Sequence, residues 1–247
     1  MSTLIAAIRS LATYLGVSLY VLVVGPICLA IALATRNPLI LYRAGLGGIW
    51  LGVALSGIKP HVLGAENIQG HRAAVYAVNH ASNVEPPLIF QSVRSLFPRL
   101  RVLYKAELRK LPILVRAFDL AGFVPIQRGN REQSLPAIDR AAQALRDGNS
   151  FLIFPEGTRS RTGQLLPFKK GGFIMAIQAQ APIVPVAVRG GRDSMRKGSA
   201  IVRPVKITVR IGPPIPTAGL TLDDRDELIT RVRAEVQKLL DAGPLWT

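Results

Sequence analysis

At positions 79–87 the sequence NHASNVEPP sets a histidine, His80, five positions ahead of a carboxylate, Glu85, and closes on two prolines. Histidine exchanges a proton near neutral pH, and a carboxylate on its other ring nitrogen fixes the tautomer and steadies the imidazolium. Together they form a proton-handling pair suited to drawing a proton from a hydroxyl. On a regular helix five residues advance about 500°, which leaves the two side chains about 140° apart. A working pair therefore needs a turn between them. The prolines favour one, because the residue before a proline is pushed out of the helical region. The plainer alternative is a core histidine satisfied by backbone.

Other chemistries have less support. Cys28 is the one cysteine in the 247 residues and lies inside an apolar run, which excludes an intramolecular disulfide and a cysteine-based zinc cluster. His61, His71 and His80 lack metal-ligand spacing, so neither a metal site nor a cofactor is expected. Lys and Arg number 31 against 15 Asp and Glu, a net charge of +16 that suits a polyanionic partner. Aromatic residues make up only 6%, and no stretch interleaves them with basic residues as a base-stacking platform would. The expected partner is an anionic membrane surface and not nucleic acid.

Residues 11–35 run 25 positions without a charge, long enough to cross a bilayer core, between Arg9 and Arg36. Residues 44–58 form a second apolar stretch of 15, rich in glycine and better suited to an interfacial or re-entrant helix. Gly25-Pro26 is expected to kink the first segment, and a helical hairpin folded there would enter and leave one leaflet. A cleaved leader, suggested by the small residues at 30–34, and a buried soluble helix are the alternatives. Membrane attachment is the expectation. Monotopic insertion, a single span and a hairpin all fit.

From about residue 60 short apolar runs alternate with helical patterns. Residues 73–78, 122–126, 151–154, 183–188 and 205–211 read as strands, mostly of continuous apolar character, as in a sheet covered on both faces. Between them residues 134–148 carry Leu135, Ile138, Ala142 and Leu145 at helical spacing, with Ser134 as cap and Gly148 as stop. Residues 173–179 and 222–240 read as further helices, the last with Ile229, Val232, Val236 and Leu239 on one stripe. The expected fold is α/β, with a mostly parallel central sheet flanked by helices. Residues 1–60 form the membrane-associated helical segment and residues 61–247 the α/β domain.

Four stretches stand out together: NHASNVE (79–85), GFVPIQRG (122–129), FPEGTRS (154–160) and IVPVAVRG (183–190). In order and spacing they resemble the four motifs of the glycerolipid acyltransferases, typified by bacterial lysophosphatidic acid acyltransferase. Coverage runs over about residues 58–209, and FPEGTRS beside the NHxS histidine is the specific combination. The family pattern places aspartate where this chain has Glu85, one methylene longer.

The resemblance implies a membrane-bound enzyme that moves a fatty acyl group from acyl-CoA or acyl carrier protein to lysophosphatidic acid. Localisation follows as the cytoplasmic face of the cell membrane, with membrane lipids as neighbours. His80 becomes the general base and Glu85 its orienter. Glu156, Gly157, Thr158 and Arg159 belong by resemblance to the glycerol-phosphate site, with Arg128 and Arg159 offering bidentate donors to phosphate. Glu156 holds either Arg159 or a glycerol hydroxyl, or is a structural ion pair. Lys105 meets phosphate or is an ordinary solvated lysine. Lys169, Lys170 and the loop at 189–198 read as a basic surface or as a merely solvated face. The rival acceptors are glycerol-3-phosphate and other lysolipids, and the rival class is a catalytically weakened lipid-binding protein.

Overall fold

A computed structural model of the chain describes residues 3–127 and 131–243. Two apolar helices come first, α1 (Thr3–Thr35) and α2 (Leu39–Ser56). They are packed antiparallel: Gly16 lies against Leu55, Gly52 against Val17, and Gly47 and Gly48 against Tyr20. These small residues let the two backbones approach. The helix continues through Pro26, so the hairpin expected at Gly25-Pro26 instead reverses at residues 36–38, where Arg36 takes a positive φ. A single proline removes one helical hydrogen bond. The Arg-Asn-Pro sequence supplies a left-handed residue and a new helix start.

The hairpin is tied to the rest of the chain by polar contacts. Ser10 Oγ accepts from Val202 N at 2.8 Å and donates to Ala6 O, and Tyr14 OH donates to Ala200 O at 2.7 Å. Tyr42 OH donates to Leu100 O, inside a cluster with Phe90 and Phe97.

Among the described residues seven strands follow: β1 (Lys59–Leu63), β2 (Val75–Val78), β3 (Leu100–Lys105), β4 (Val124–Ile126), β5 (Ser150–Ile153), β6 (Ile183–Arg189) and β7 (Lys206–Ile211). They form one sheet in the order β1-β7-β6-β2-β5-β3-β4. The five strands from β6 to β4 are mutually parallel. β7 runs antiparallel to β6, and β1 runs parallel to β7. The α/β class with a mostly parallel sheet holds, and two strands at one edge are reversed. β1 begins at Lys59 and crosses position 60, where the composition changes.

Helices cover both faces, and α4 (Pro112–Leu120) joins β3 to β4. Val75 and Ala77 of β2 pack with Phe151 and Ile153 against α5 (Arg131–Arg146), α6 (Gly171–Ala179) and α8 (Arg225–Asp241). Tyr76 and Val78 face the other way, onto α3 (Glu85–Ser92) and Tyr42 of α2. All four β2 residues are buried, which is why this strand reads as a continuous apolar run instead of an alternation.

Two strands have no such signature. β1 is an edge strand, mostly exposed. β3 carries Arg101, whose guanidinium reaches Pro98 O at 2.7 Å and Tyr42 OH at 3.3 Å. α5 begins at Arg131, so Ser134 lies within the helix and is not its cap; its hydroxyl donates to Gln127 O.

Candidate active site

Because five strands run parallel, the residues that follow them gather along one edge, where open α/β sheets place ligands. β2 leads to His80, β5 to Phe154 and Glu156, and β6 to Gly190 and the four-residue helix α7 (Gly191–Ser194). Lys105 ends β3 at the same edge.

Residues 79–84 make the required turn, and Glu85 opens α3 with Pro86 and Pro87 in its first turn. Glu85 Oε2 lies 3.0 Å from His80 Nδ1 and accepts the Ala81 N–H at 2.8 Å. The Glu85 side chain is fully buried and that of His80 is 17% exposed, with the imidazole centroid 4.4 Å from that of the Phe154 ring and the two planes tilted by 35°. A carboxylate at Nδ1 assigns the proton there, which leaves the Nε2 lone pair as the basic nitrogen. Such an imidazole has the geometry to take a proton from a hydroxyl brought to Nε2.

Three neighbours hold this loop. Asn79 spans to β6 with both ends of its amide, donating to Val188 O at 3.0 Å and accepting from Val188 N at 2.6 Å. Ser82 Oγ donates to Met195 O at 2.8 Å. On the third side stands the turn after β5. Ser160 N donates to His80 O at 2.7 Å, while Glu156 Oε1 accepts from His80 N at 2.6 Å.

Glu156 is 2% exposed and its second oxygen accepts from Leu166 N at 2.9 Å. Its carboxylate thus joins two loops through backbone amides, and it neither pairs with Arg159 nor turns outward. Burial raises its pKa above the ordinary glutamate value, as does the nearby Glu85 charge; the amides of Leu166 and His80 and the His80 ring pull the other way. Gly157 takes φ +69°, a left-handed turn that glycine adopts without strain. Thr158 is exposed and Arg159 half-buried beside it.

The sequence motifs do not contain every residue of the site. Lys197 Nζ donates to Thr158 Oγ1 at 3.2 Å and to Arg159 O at 3.0 Å, so a lysine from the 189–198 loop braces the turn. Arg192 Nε likewise donates to Arg161 O at 3.1 Å. The basic loop is therefore folded against the turn and makes its mouth cationic. Lys105 sits half exposed in an ion pair with Glu107 at 3.2 Å. Arg128 lies outside the described residues. Asn79 stands inside a quoted motif, and its type, a donor and acceptor on one short arm, is the signal that marks it. Phe154 opens the FPEGTRS motif and Lys197 lies in the basic loop at 189–198, but nothing local marks the contact that either makes.

Beside the loop lies a cavity of about 1010 Å³, bounded on one side by α1 and α2 and on the other by the sheet domain. Its wall is largely apolar, with Leu41, Phe90, Phe118, Phe123 and Met195 contributing, and it reaches Asn83 and Val84 immediately before Glu85.

With this geometry in view, residues 59–189 match the family model described as Acyltransferase, just over half of the chain. The chain belongs to the acyltransferase family. It is 36% identical over 196 residues to a 1-acyl-sn-glycerol-3-phosphate acyltransferase of Limnanthes douglasii, covering 78% of this chain and 66% of that protein. It is 34% identical over 180 residues to the human 1-acyl-sn-glycerol-3-phosphate acyltransferase alpha, covering 72% and 62%. The match thus spans about two thirds of the length of these curated relatives. Among solved structures, the 1-acyl-sn-glycerophosphate (LPA) acyltransferase PlsC of Thermotoga maritima is similar with a TM-score of 0.79 at 25% identity. That likeness covers 95% of this chain and 94% of that one.

Proposed function

We propose that this acyltransferase moves a fatty acyl group from a thioester donor, acyl-CoA or acyl carrier protein, to the free hydroxyl of lysophosphatidic acid, forming phosphatidic acid. The observation that carries the reading is the His80–Glu85 contact of 3.0 Å, with the basic nitrogen left for substrate.

His80 Nε2 takes the hydroxyl proton as the alcohol oxygen attacks the thioester carbonyl. Glu85 stabilises the imidazolium that forms. Collapse of the tetrahedral intermediate breaks the C–S bond, and the imidazolium returns its proton to the departing thiolate. An ester and a free thiol result, with no acyl-enzyme. Ser82, whose hydroxyl is engaged with Met195 O, is not placed as a nucleophile.

Arg159, with Lys197 behind it, offers the cationic contact for the acceptor's phosphate. Gly157 allows close approach to the turn, Thr158 adds a hydroxyl at its surface, and Lys105 at the end of β3 is a further hydrogen-bond donor to the phosphate, as is Arg128 by its type. The apolar cavity beside Val84 accommodates a lipid chain. Both α1 and α2 are long and apolar enough to cross a membrane. They expose Leu4, Leu15, Leu19, Leu22 and Trp50, which supports attachment to the bilayer in which the acceptor is dissolved; we assign the site to its cytoplasmic face.

The test is transfer of a labelled acyl group in detergent by wild type and His80→Ala, with acyl-CoA and acyl carrier protein offered in turn. Lysophosphatidic acid, glycerol-3-phosphate and a zwitterionic lysolipid compete as acceptors. Phosphatidic acid formed by wild type and lost in the variant is expected. No transfer above the variant with any pair would overturn the reading.

A further inference from the structure

We infer that Gly191 is a positioning residue for catalysis: its missing side chain is the space in which Glu85 takes the place of the family's aspartate. The inference rests on reading His80–Glu85 as the catalytic pair, and part of its test does not.

The carboxylate of Glu85 is pinned at one end. Oε2 is fixed by His80 Nδ1 and by the Ala81 amide, and the backbone is fixed by the prolines that open α3. The extra methylene must bow sideways, and it bows over Gly191. A Cβ on Gly191 would stand 2.4 Å from Glu85 Oε1, 2.9 Å from Cγ and 3.1 Å from Cδ. The first two are closer than packed atoms come, and the third is tight. Glu85 Oε1 makes no hydrogen bond among the described residues, so what it needs from Gly191 is room and not a donor.

Neighbouring Gly190 makes the contrast. Its φ of +90° calls for glycine on backbone grounds, and its Cβ would meet Lys206 O at 2.7 Å. Gly191 has no positive φ, and the atoms nearest its absent Cβ all belong to Glu85.

Nor is Gly191 free to retreat. Met195 N donates to Gly191 O and Ser194 N to Gly190 O, both at 3.0 Å, while Arg203 N donates to Ser194 O at 2.8 Å. Met195 O in turn holds Ser82 of the histidine loop. A methyl group at 191 therefore displaces the carboxylate from the imidazole, and a shorter acid at 85 relieves the conflict.

The test is a double-mutant cycle on the full chain in detergent, with acyl transfer and thermal unfolding both measured. Gly191→Ala is expected to lower kcat by ~10²-fold or more, as loss of base orientation does, with little change in KM. Glu85→Asp keeps activity within about tenfold, an orienting carboxylate being retained. The double variant Gly191→Ala/Glu85→Asp then matches Glu85→Asp, and not the product of the two single losses.

The stability arm uses Glu85→Ala and needs no activity. Gly191→Ala should lower the Tm by about 5 °C in the wild-type background, from overpacking in a chain of this size, and by much less where Glu85 is already alanine. Gly191→Ala with wild-type turnover and Tm would overturn the inference. So would an equal loss of Tm in both backgrounds, whatever the enzyme assays show. Coupled Tm values with no acyl transfer by any variant uphold the Glu85–Gly191 contact and overturn the catalytic reading alone.

Discussion

The α1–α2 hairpin and the C-terminal edge of the sheet spend their side chains in opposite ways. In the hairpin the apolar residues point outward: Leu11, Leu15 and Leu22 are 60%, 63% and 73% exposed. At the sheet edge two carboxylates, Glu85 and Glu156, are buried almost completely. Apolar surface of that extent calls for a neighbour other than water, and buried charge calls for directed hydrogen bonds. One region is built for partitioning and the other for geometry. Each should be breakable without the other.

The largest separation should come from the hairpin. On the proposed attachment to a bilayer, replacing Leu11, Leu15 and Leu22 together by glutamate removes roughly 4.5–9 kcal/mol of apolar burial. The variant should move from the floated vesicle fraction to the aqueous one in a flotation assay. Its fold, read by far-UV circular dichroism, should persist. Co-flotation with vesicles at the wild-type level would show that the outward leucines are not what meets lipid.

His80→Ala should do the reverse, lowering turnover by ~10²–10⁴-fold while leaving flotation near wild type. A variant that lost vesicle binding as well would mean that the two regions do not work independently.

Glu156→Gln sharpens the comparison within the edge itself. One of the two amides that Glu156 accepts would then face an NH₂ group, which costs about 1–3 kcal/mol. The Tm should fall by several degrees, and turnover should fall with it because Glu156 holds the His80 backbone. The pH dependence has a definite sign. The raised folded-state value means that the native chain holds this proton more tightly than the unfolded chain does. That contribution is complete below the ordinary value of 4.5 and fades as pH rises through the raised one. The Tm advantage of wild type over Glu156→Gln should therefore narrow between pH 4 and neutrality. A gap that widens instead would mean the buried carboxyl prefers its charge.

The smallest effect belongs to the joint between the regions. Tyr14→Phe removes one hydrogen bond to Ala200 O, worth ~0.5–1.5 kcal/mol, and should lower the Tm by a few degrees with turnover unchanged.

Much of this division is legible in the chain before it folds. An uncharged run of 25 residues declares an apolar helix by composition alone, and five of the seven strands announce themselves as apolar runs. β1 and β3 do not, because an edge strand has little to bury and β3 hides Arg101 by folding its guanidinium back onto backbone. The reversal between α1 and α2 is misplaced by the same local reasoning. Pro26 is the more conspicuous residue, yet helix packing carries the chain past it to the left-handed Arg36.

The site divides along the same line. Residue types and short spacings determined that an imidazole and a carboxylate flank a turn, that EGTRS follows a buried strand, and that both reach one edge of a parallel sheet. These are properties of neighbours a few positions apart. Tertiary structure alone decided that Glu156 braces two loops through amides, that Lys197 supports the EGTRS turn, and that Gly191 lies under Glu85. Those contacts join residues from ten to more than a hundred positions apart. They depend on which strands become neighbours, a choice made by the burial of the whole sheet and not by any local pattern.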